Sequence, residues 1–339
     1  MSSVDVIVPC YKYGRFLRQC VNSVLTQEGV NVRVLIIDDA SPDDTPEVTA
    51  VLMKEDSRVS CIRHESNRGH INTYNEGIEW ACADYLLILS ADDHLLPGAL
   101  ARAATLMDTH PNVGFTFGKT IDLVDNTNTT ETFVNRAIDS VTLGRDRTIL
   151  SGEAFFVMIE SAHSTNIVRT PTSIVRTSLQ KKVGGYRPEL PHTGDLEIWL
   201  RLAAHADVGV LGTYEAVYRL HGGNMQTSYY RERQFPDLQQ RKAAIDCFIA
   251  ACAPLLNGSS NLRRRLLRPM SSEAIQCANG AFTDGATELA NNLCRLATDL
   301  DPTVTRTLPW HLLTCKRLMG RTVWLTIRSV AAPFRSIAD

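Results

Sequence analysis

The chain has 339 residues, 44% hydrophobic and 21% charged, with a formal net charge of -2. That apolar content belongs to a folded globular protein and excludes a disordered or low-complexity polymer, and the near-balance of charge excludes a general electrostatic grip on nucleic acid. Nine cysteines without any Cys-x-x-Cys pair exclude a disulfide framework or zinc ribbon and point to reduced thiols in a cytoplasm.

Residues 4–9 (Val-Asp-Val-Ile-Val-Pro) read as a buried strand, 14–27 as a helix with Leu17, Val21 and Val24 on one face, and 32–37 as a second strand. Asp5 inside the first apolar run argues against a signal peptide, and no run of about 20 apolar residues offers a membrane span. Strand two ends on Asp38-Asp39 in a loop of turn and cap residues, before a helix to about 55. Residues 58–63 are a third strand, Asn67-Arg-Gly-His opens a helix to 83, and 84–89 is a fourth strand ending on Ser90-Ala-Asp92-Asp93. Alternating strands and helices predict a parallel, doubly wound sheet with ligands at the carboxyl ends of its strands.

Both Asp-Asp pairs fall at such ends. An isolated pair reads as readily as a solvated turn, but two of them opening on one crevice suit a hard divalent cation with a phosphate beyond it. The Gly-x-Gly-x-x-Gly and Gly-x-x-x-x-Gly-Lys-Ser/Thr phosphate loops are absent, and Pro9-Cys10-Tyr11 follows strand one instead. Tyr11 offers a face for a nucleobase, or is simply a half-buried aromatic.

Beyond the second pair, 97–110 is an amphipathic helix and 113–117 a strand, and the polar stretch 122–147 reads as a loop or hairpin over a ligand site. A short helix at 152–160 and a strand at 172–177 lead to Gly184-Gly185, where close backbone approach or positive φ is expected. In His192-Thr-Gly-Asp-Leu-Glu-Ile-Trp-Leu-Arg the apolar spacing is helical, so Asp195 either caps the helix or carries chemistry. Glu197 is the fallback, turned about 200° away on the helix. Strands at 208–211 and 216–220 run into Tyr218-Arg-Leu-His221-Gly-Gly, whose histidine is structural or a ligand and whose Gly222 and Gly223 allow a loop to fold over a ligand.

From about 229 the pattern is helical, over 232–256, 272–281 and 286–300. Residues 302–339 carry six Lys or Arg against one acid, so this tail is +5 and the remainder -7. With Trp310 and Trp324 beside those bases, it reads as an interfacial membrane helix or as a packed helix with a basic face, and Arg263, Arg264, Arg265 and Arg268 form a second basic cluster.

Val-Ile-Val-Pro-Cys-Tyr-Lys-Tyr (6–13), Ser-Val-Leu-Thr-Gln (23–27), Ile-Ile-Asp-Asp-Ala-Ser-Pro-Asp-Asp-Thr (36–45), Asn-Arg-Gly (67–69) and Leu-Ser-Ala-Asp-Asp (89–93) resemble, in order and spacing, the successive blocks of GT-A fold, family 2 glycosyltransferases. The resemblance covers about residues 1 to 225. It implies an α/β, Rossmann-like, mostly parallel sheet flanked by helices in a catalytic domain at 1–226; beyond it the helical pattern makes 227–339 an α-helical C-terminal region whose basic tail suits contact with a membrane or partner, or plain packing. It implies an inverting, Mn²⁺- or Mg²⁺-dependent enzyme moving sugar from a UDP- or dTDP-sugar to a hydroxyl of a saccharide or lipid-linked acceptor in cell-surface polysaccharide synthesis, in the cytoplasm or peripherally at the inner membrane face.

By the same resemblance Pro9, Tyr11, Asp39, Asn67, Gly69 and Asp92 contact the nucleotide, Asp39 accepting the imide N–H of the base and Asp92 the ribose. Asp93 and His221 hold the metal, and Asp195 is the general base. Two positions depart from the family: Ser90 where Asp is common, and Tyr74 where Arg is common. A sugar nucleotidyltransferase would share the sheet but show a Gly-rich basic loop after strand one, which Pro9-Cys-Tyr-Lys-Tyr-Gly is not. A non-catalytic module would have no need of these carboxylates.

Overall fold

The computed structural model describes every residue except 125–128, 133–135, 223–228, 230, 231 and 332–339. Its first part alternates strand and helix: β1 (Ser3–Cys10), α1 (Gly14–Leu25), β2 (Asn31–Asp38), α2 (Thr45–Glu55), β3 (Val59–Arg63), α3 (His70–Trp80) and β4 (Tyr85–Ile88). Then follow β5 (His94–Leu95), α4 (Ala99–Thr109), β6 (Val113–Val124), β7 (Thr129–Thr132), α5 (Arg136–Thr142), β8 (Arg147–Leu150), α6 (Gly152–Ser161), β9 (Ile174–Arg176), α7 (Thr177–Val183), α8 (Gly194–Ala203) and β10 (Asp207–Leu220). The chain ends in helices α9 (Phe235–Cys252), α10 (Ser259–Asp284), α11 (Thr287–Leu300), α12 (Leu308–Met319) and α13 (Arg321–Ala331).

The strands form one sheet in the order β3-β2-β1-β4-β9-β6-β10-β5, with β7 on β6 and β8 on β10. Pairing is parallel across β3, β2, β1 and β4, as the alternation predicts, and again between β6 and β10. Between these halves the short β9 is antiparallel to both β4 and β6, so the whole sheet is mixed. Because β9 reverses direction twice over, the carboxyl ends of β1, β2, β4, β6 and β10 and the amino end of β9 all meet at one edge.

The central strands are buried on both faces, which is why Val4, Val6, Ile7 and Val8 are apolar on both sides of the pleat, with Asp5 alone among them polar. Asp5 is tolerated there because Arg33 donates to it through Nε and Nη2 at 2.8 Å each and the amides of Cys82 and Ala83 donate at 2.7 and 2.9 Å.

Beyond the short elements β5, α5, β8 and α7, which the sequence pattern does not mark, three longer ones differ from it. Strand β6 extends to Val124 because Thr116 and Thr120, polar in sequence, are buried in the sheet. The strands expected at 208–211 and 216–220 are the single β10, whose register shifts between Val210 and Ala216 around Gly212-Thr213. Helix α10 starts at Ser259 and carries Pro269 inside it. The stretch 122–147 does contain a hairpin, β6–β7, followed by α5.

The C-terminal helices are not appended loosely. One hydrophobic cluster runs from Phe115 and Trp199 through Phe156 and Leu200 into Leu238, Phe248, Leu266 and Leu293, and the Phe156 and Phe248 rings lie 5.4 Å apart. The expected basic cluster on α10 is spread among acids: Arg265 binds Glu153 and Glu160 at 2.6 and 2.8 Å, and Arg263 binds Asp246 at 2.8 Å. Gly320, at φ 82°, breaks the tail into α12 and α13. Among the described residues no helix is long and apolar enough to cross a membrane.

Candidate active site

The strand ends meet at a cleft of about 1060 Å³ lined by Pro9, Tyr11, Asp39, Asn67, Gly69, Asp92, Asp93 and Asp195, among others. Eight of the nine residues singled out in the sequence therefore face one cavity. The ninth, His221, is not in its lining.

The nucleotide end is built on β1 and β2. Successive residues of a strand point to opposite faces, so only the second carboxylate of the first pair reaches the cleft. Asp38 turns under the sheet to accept from the Ser41 amide at 2.8 Å. Asp39 Oδ1 accepts from the Arg68 amide at 2.7 Å and Oδ2 from the Gly69 amide at 2.9 Å, so it holds the Asn67–Gly69 loop by its backbone, with Gly69 at φ 81°. A ligand N–H can still bond Asp39, since a carboxylate accepts about four hydrogen bonds.

Behind Asp39 stands His64, which sequence reading missed. Its Nδ1 is 2.7 Å from Asp39 Oδ1 and its Nε2 is 2.7 Å from Glu76 Oε2. Burial pulls the imidazole pKa down, but the hydrogen bonds to Asp39 and Glu76 outweigh it and the pKa is raised. A carboxylate at each ring nitrogen favours the imidazolium, the form that can donate to both.

The second pair follows β4. Asp93 is 3% exposed; burial and the neighbouring Asp92 carboxylate push its pKa well up, against the pull of the Arg219 amide that donates to Oδ1 at 2.9 Å. Two hard carboxylates crowded at a cleft wall, one of them resisting ionisation, are a donor set that a divalent cation would relieve. His221 reaches this pair because β10 ends here, and its Nε2 is 3.0 Å from Asp92 Oδ2. The imidazole is wedged between the Tyr13 and Phe16 rings, 5.4 and 6.1 Å away. Its contact in this state is thus Asp92, with Asp93 served by the next-but-one backbone N–H upstream. Arg219 also donates Nε to the Asp92 carbonyl at 3.0 Å and stacks on Phe16 at 4.3 Å. Arg169, in the cleft wall, lies over the Tyr218 ring at 4.3 Å and helps draw Asp93 toward its charged form. Nothing in its sequence surroundings marks Arg169.

Asp195 sits in the first turn of α8, but it does not cap that helix: Oδ2 accepts from the Thr170 hydroxyl at 3.0 Å, and the Tyr186 hydroxyl donates to the same carboxyl. Burial raises its pKa, and these two hydrogen bonds moderate the rise. Tyr186 is held in turn by Asn75 of α3, which bonds its amide and carbonyl at 2.7 and 2.9 Å. The close approach requires Gly185, where a Cβ would stand 2.2 Å from Asn75 Oδ1. Glu197 points the other way, fully buried between Arg187 and Arg201, and is structural. Ser90 and Tyr74 both line the cleft.

Among the described residues none of 122–147 lines the cleft; the loop that does is Thr165–Pro171, which enters β9. Gly222 has open space around it, and Gly223 lies outside the described residues.

Residues 5–163 match the family model described as glycosyl transferase family 2. Glycosyltransferase GlyG of Streptococcus pneumoniae is 33% identical over 90 residues, 26% of this chain and 30% of that protein. Succinoglycan biosynthesis protein ExoO of Rhizobium meliloti is 35% identical over 99 residues, 29% of this chain and 28% of that one. The matched segment thus spans under a third of either relative. In structure the chain resembles Staphylococcus aureus TarS 1-349 in complex with UDP-GlcNAc (TM-score 0.57, 16% identity, 90% of this chain and 92% of that one). It also resembles the mannosyltransferase PcManGT of Pyrobaculum calidifontis in complex with GDP-Man and Mn²⁺ (TM-score 0.52, 16% identity, 97% and 86%).

Proposed function

We propose that this chain, a glycosyltransferase of family 2 with the GT-A fold, transfers a sugar with inversion from a UDP- or dTDP-sugar to an acceptor hydroxyl, using Mn²⁺ or Mg²⁺. The observation that carries the reading is the convergence of Asp39, Asp92 and Asp93 from two strand ends with Asp195 from α8 in one cleft. The names of the relative in succinoglycan biosynthesis and of the neighbours bound to UDP-GlcNAc and to GDP-Man with Mn²⁺ support the substrate class.

In this reading Tyr11 and Pro9 flank the base and Asp39 accepts its N–H, held in place by His64 and the Asn67–Gly69 loop. Asp92 takes the ribose, exchanging its His221 contact for a hydroxyl, and His221 is thereby released toward the diphosphate. Asp93 with His221 would hold the cation, which when bound supplies Lewis-acid charge to the leaving diphosphate. Arg169 adds a fixed positive charge at the same end. Asp195, with its pKa lifted by burial, takes the acceptor proton as the hydroxyl attacks the anomeric carbon from the far side. The helical region 227–339 serves the acceptor side, and the exposed Leu308, Leu312, Leu318 and Val323 beside tail bases give peripheral contact with an anionic membrane.

A thermal-shift series of UDP-, dTDP- and GDP-sugars with and without Mn²⁺ tests this. UDP- or dTDP-sugars should raise Tm only with the cation, by an amount growing with ligand concentration over Kd. No stabilisation by any nucleotide sugar would refute the reading.

A further inference from the structure

We infer that the C-terminal helices build the acceptor subsite and that it takes a neutral, hydroxyl-rich ring, a pyranoside, in preference to a phosphate-bearing acceptor. This rests on the glycosyltransferase reading of the same cleft. At about 1060 Å³ the cavity is at the upper limit of single-ligand pockets, roughly 300–1,000 Å³. The residues assigned to the donor come from the carboxyl ends of β1, β2, β4 and β10, from the Asn67–Gly69 loop after β3, and from Arg169 before β9. Beyond Asp195 the wall is different: His192, Gln234, Asp237 and Arg241 lead to Glu273 on α10.

Four of these side chains, His192, Asp237, Arg241 and Glu273, form one network. His192 Nε2 is 2.8 Å from Asp237 Oδ1, Arg241 Nε donates to Asp237 Oδ2 at 2.8 Å, and Arg241 Nη2 donates to Glu273 Oε1 at 2.8 Å. Asp237 and Arg241 are 5% and 2% exposed. Arg241 Nη1 is engaged as well, by the His163 carbonyl at 2.9 Å, so all three guanidinium nitrogens already have acceptors.

A phosphate arriving here would compete with two carboxylates for that cation and meet the charges of Asp195, Asp237 and Glu273. A ligand with O–H donors meets the opposite situation. Glu273 Oε2 is buried without a hydrogen-bond partner, an acceptor lacking a donor. His192 also stacks face to face on Tyr229, at 4.0 Å and 7° from parallel, which fixes its place at this end of the cleft.

The test is saturation-transfer NMR on the full chain with UDP and Mn²⁺, using methyl β-glucoside, methyl β-galactoside and methyl β-N-acetylglucosaminide as probes against glycerol 3-phosphate. At least one pyranoside should give signals that exceed those of glycerol 3-phosphate. Its affinity should fall at least fivefold in Glu273→Gln, which keeps the shape and the Arg241 contact, and in the rim variant Gln234→Asn, which suits the left-handed backbone at φ 62°. UDP affinity should be the same in both. UDP binding without any pyranoside signal, preference for glycerol 3-phosphate, or pyranoside binding undisturbed in both variants would overturn the inference alone. Failure of UDP to bind wild type at all would instead overturn the glycosyltransferase reading on which it stands.

Discussion

His64→Leu separates the clamp on Asp39 from the rest of the nucleotide end. The substitution keeps bulk and removes two hydrogen bonds of 2.7 Å, one to a buried carboxylate and one to Glu76, whose side chain is 32% exposed. The buried bond is worth about 1.5–3 kcal/mol and the half-solvated one about 0.5–1, so a loss of roughly 2–4 kcal/mol follows. With an unfolding entropy of about 2.1 cal/mol/K per residue, that is a fall in Tm of about 3–6 °C at pH 6. Asp39 retains its two backbone donors, so UDP binding should weaken by about tenfold, ~1.4 kcal/mol, rather than vanish.

The pH dependence has a definite sign. Because the folded pKa of His64 is raised above the ordinary 6.5, its contribution is complete below pH 6.5 and is lost as pH climbs through the raised value. The gap in Tm between wild type and variant, followed calorimetrically from pH 6 to 9.5, should therefore narrow with rising pH. Equal melting at pH 6, or a gap that stays constant over the range, would refute the imidazolium clamp.

Asp93→Asn should reduce Mn²⁺-dependent UDP affinity about hundredfold by titration calorimetry, and undiminished affinity would count against the cation role. Without metal the same variant should be the more stable protein at neutral pH, because an acid with a raised folded pKa loses stability as pH rises above the ordinary 3.8. Asp195→Asn should leave UDP binding intact and lower transfer by about 10²–10⁴. Tyr186→Phe removes a donor that favours the Asp195 anion, so the acid limb of the transfer-rate profile should move to higher pH; an unmoved limb would detach Tyr186 from the base. Leu312→Ser with Leu318→Ser, both exposed on α12, should abolish co-sedimentation with phosphatidylglycerol vesicles, and unchanged partitioning would leave the tail as a packing element.

What could be read in the sequence was what repeats along it or stands at a boundary. The strands of the parallel half show as apolar runs because both faces are covered, and Asp39, Asp92 and Asp93 show because a carboxylate directly after such a run can only lie at an open end. Strand β6 was cut short because Thr116, Gly118 and Thr120 carry no hydrophobic signal, although the sheet buries the two threonines. Helix α10 was cut short by an arginine-rich start and an internal proline. The partners around the cleft were hidden for another reason. His64 meets Asp39 and Glu76, Thr170 meets Asp195, and Arg241 of α9 meets Glu273 of α10, across separations that no local period records.

The seam between α6, α8 and the C-terminal helices has a bearing on how such enzymes diversify. With Phe156 against Phe248 and Leu200 in the same apolar cluster as Leu238 and Leu266, the tail cannot be exchanged for another as a cassette, because any replacement must first match the relief of α8. The residues that face that seam are tied to fold, while Gln234, Asp237, Arg241 and Glu273 on neighbouring turns face the cleft. On the proposed acceptor reading, change in acceptor choice is channelled into these few polar positions, while the apolar sides of α9 and α10 are held constant.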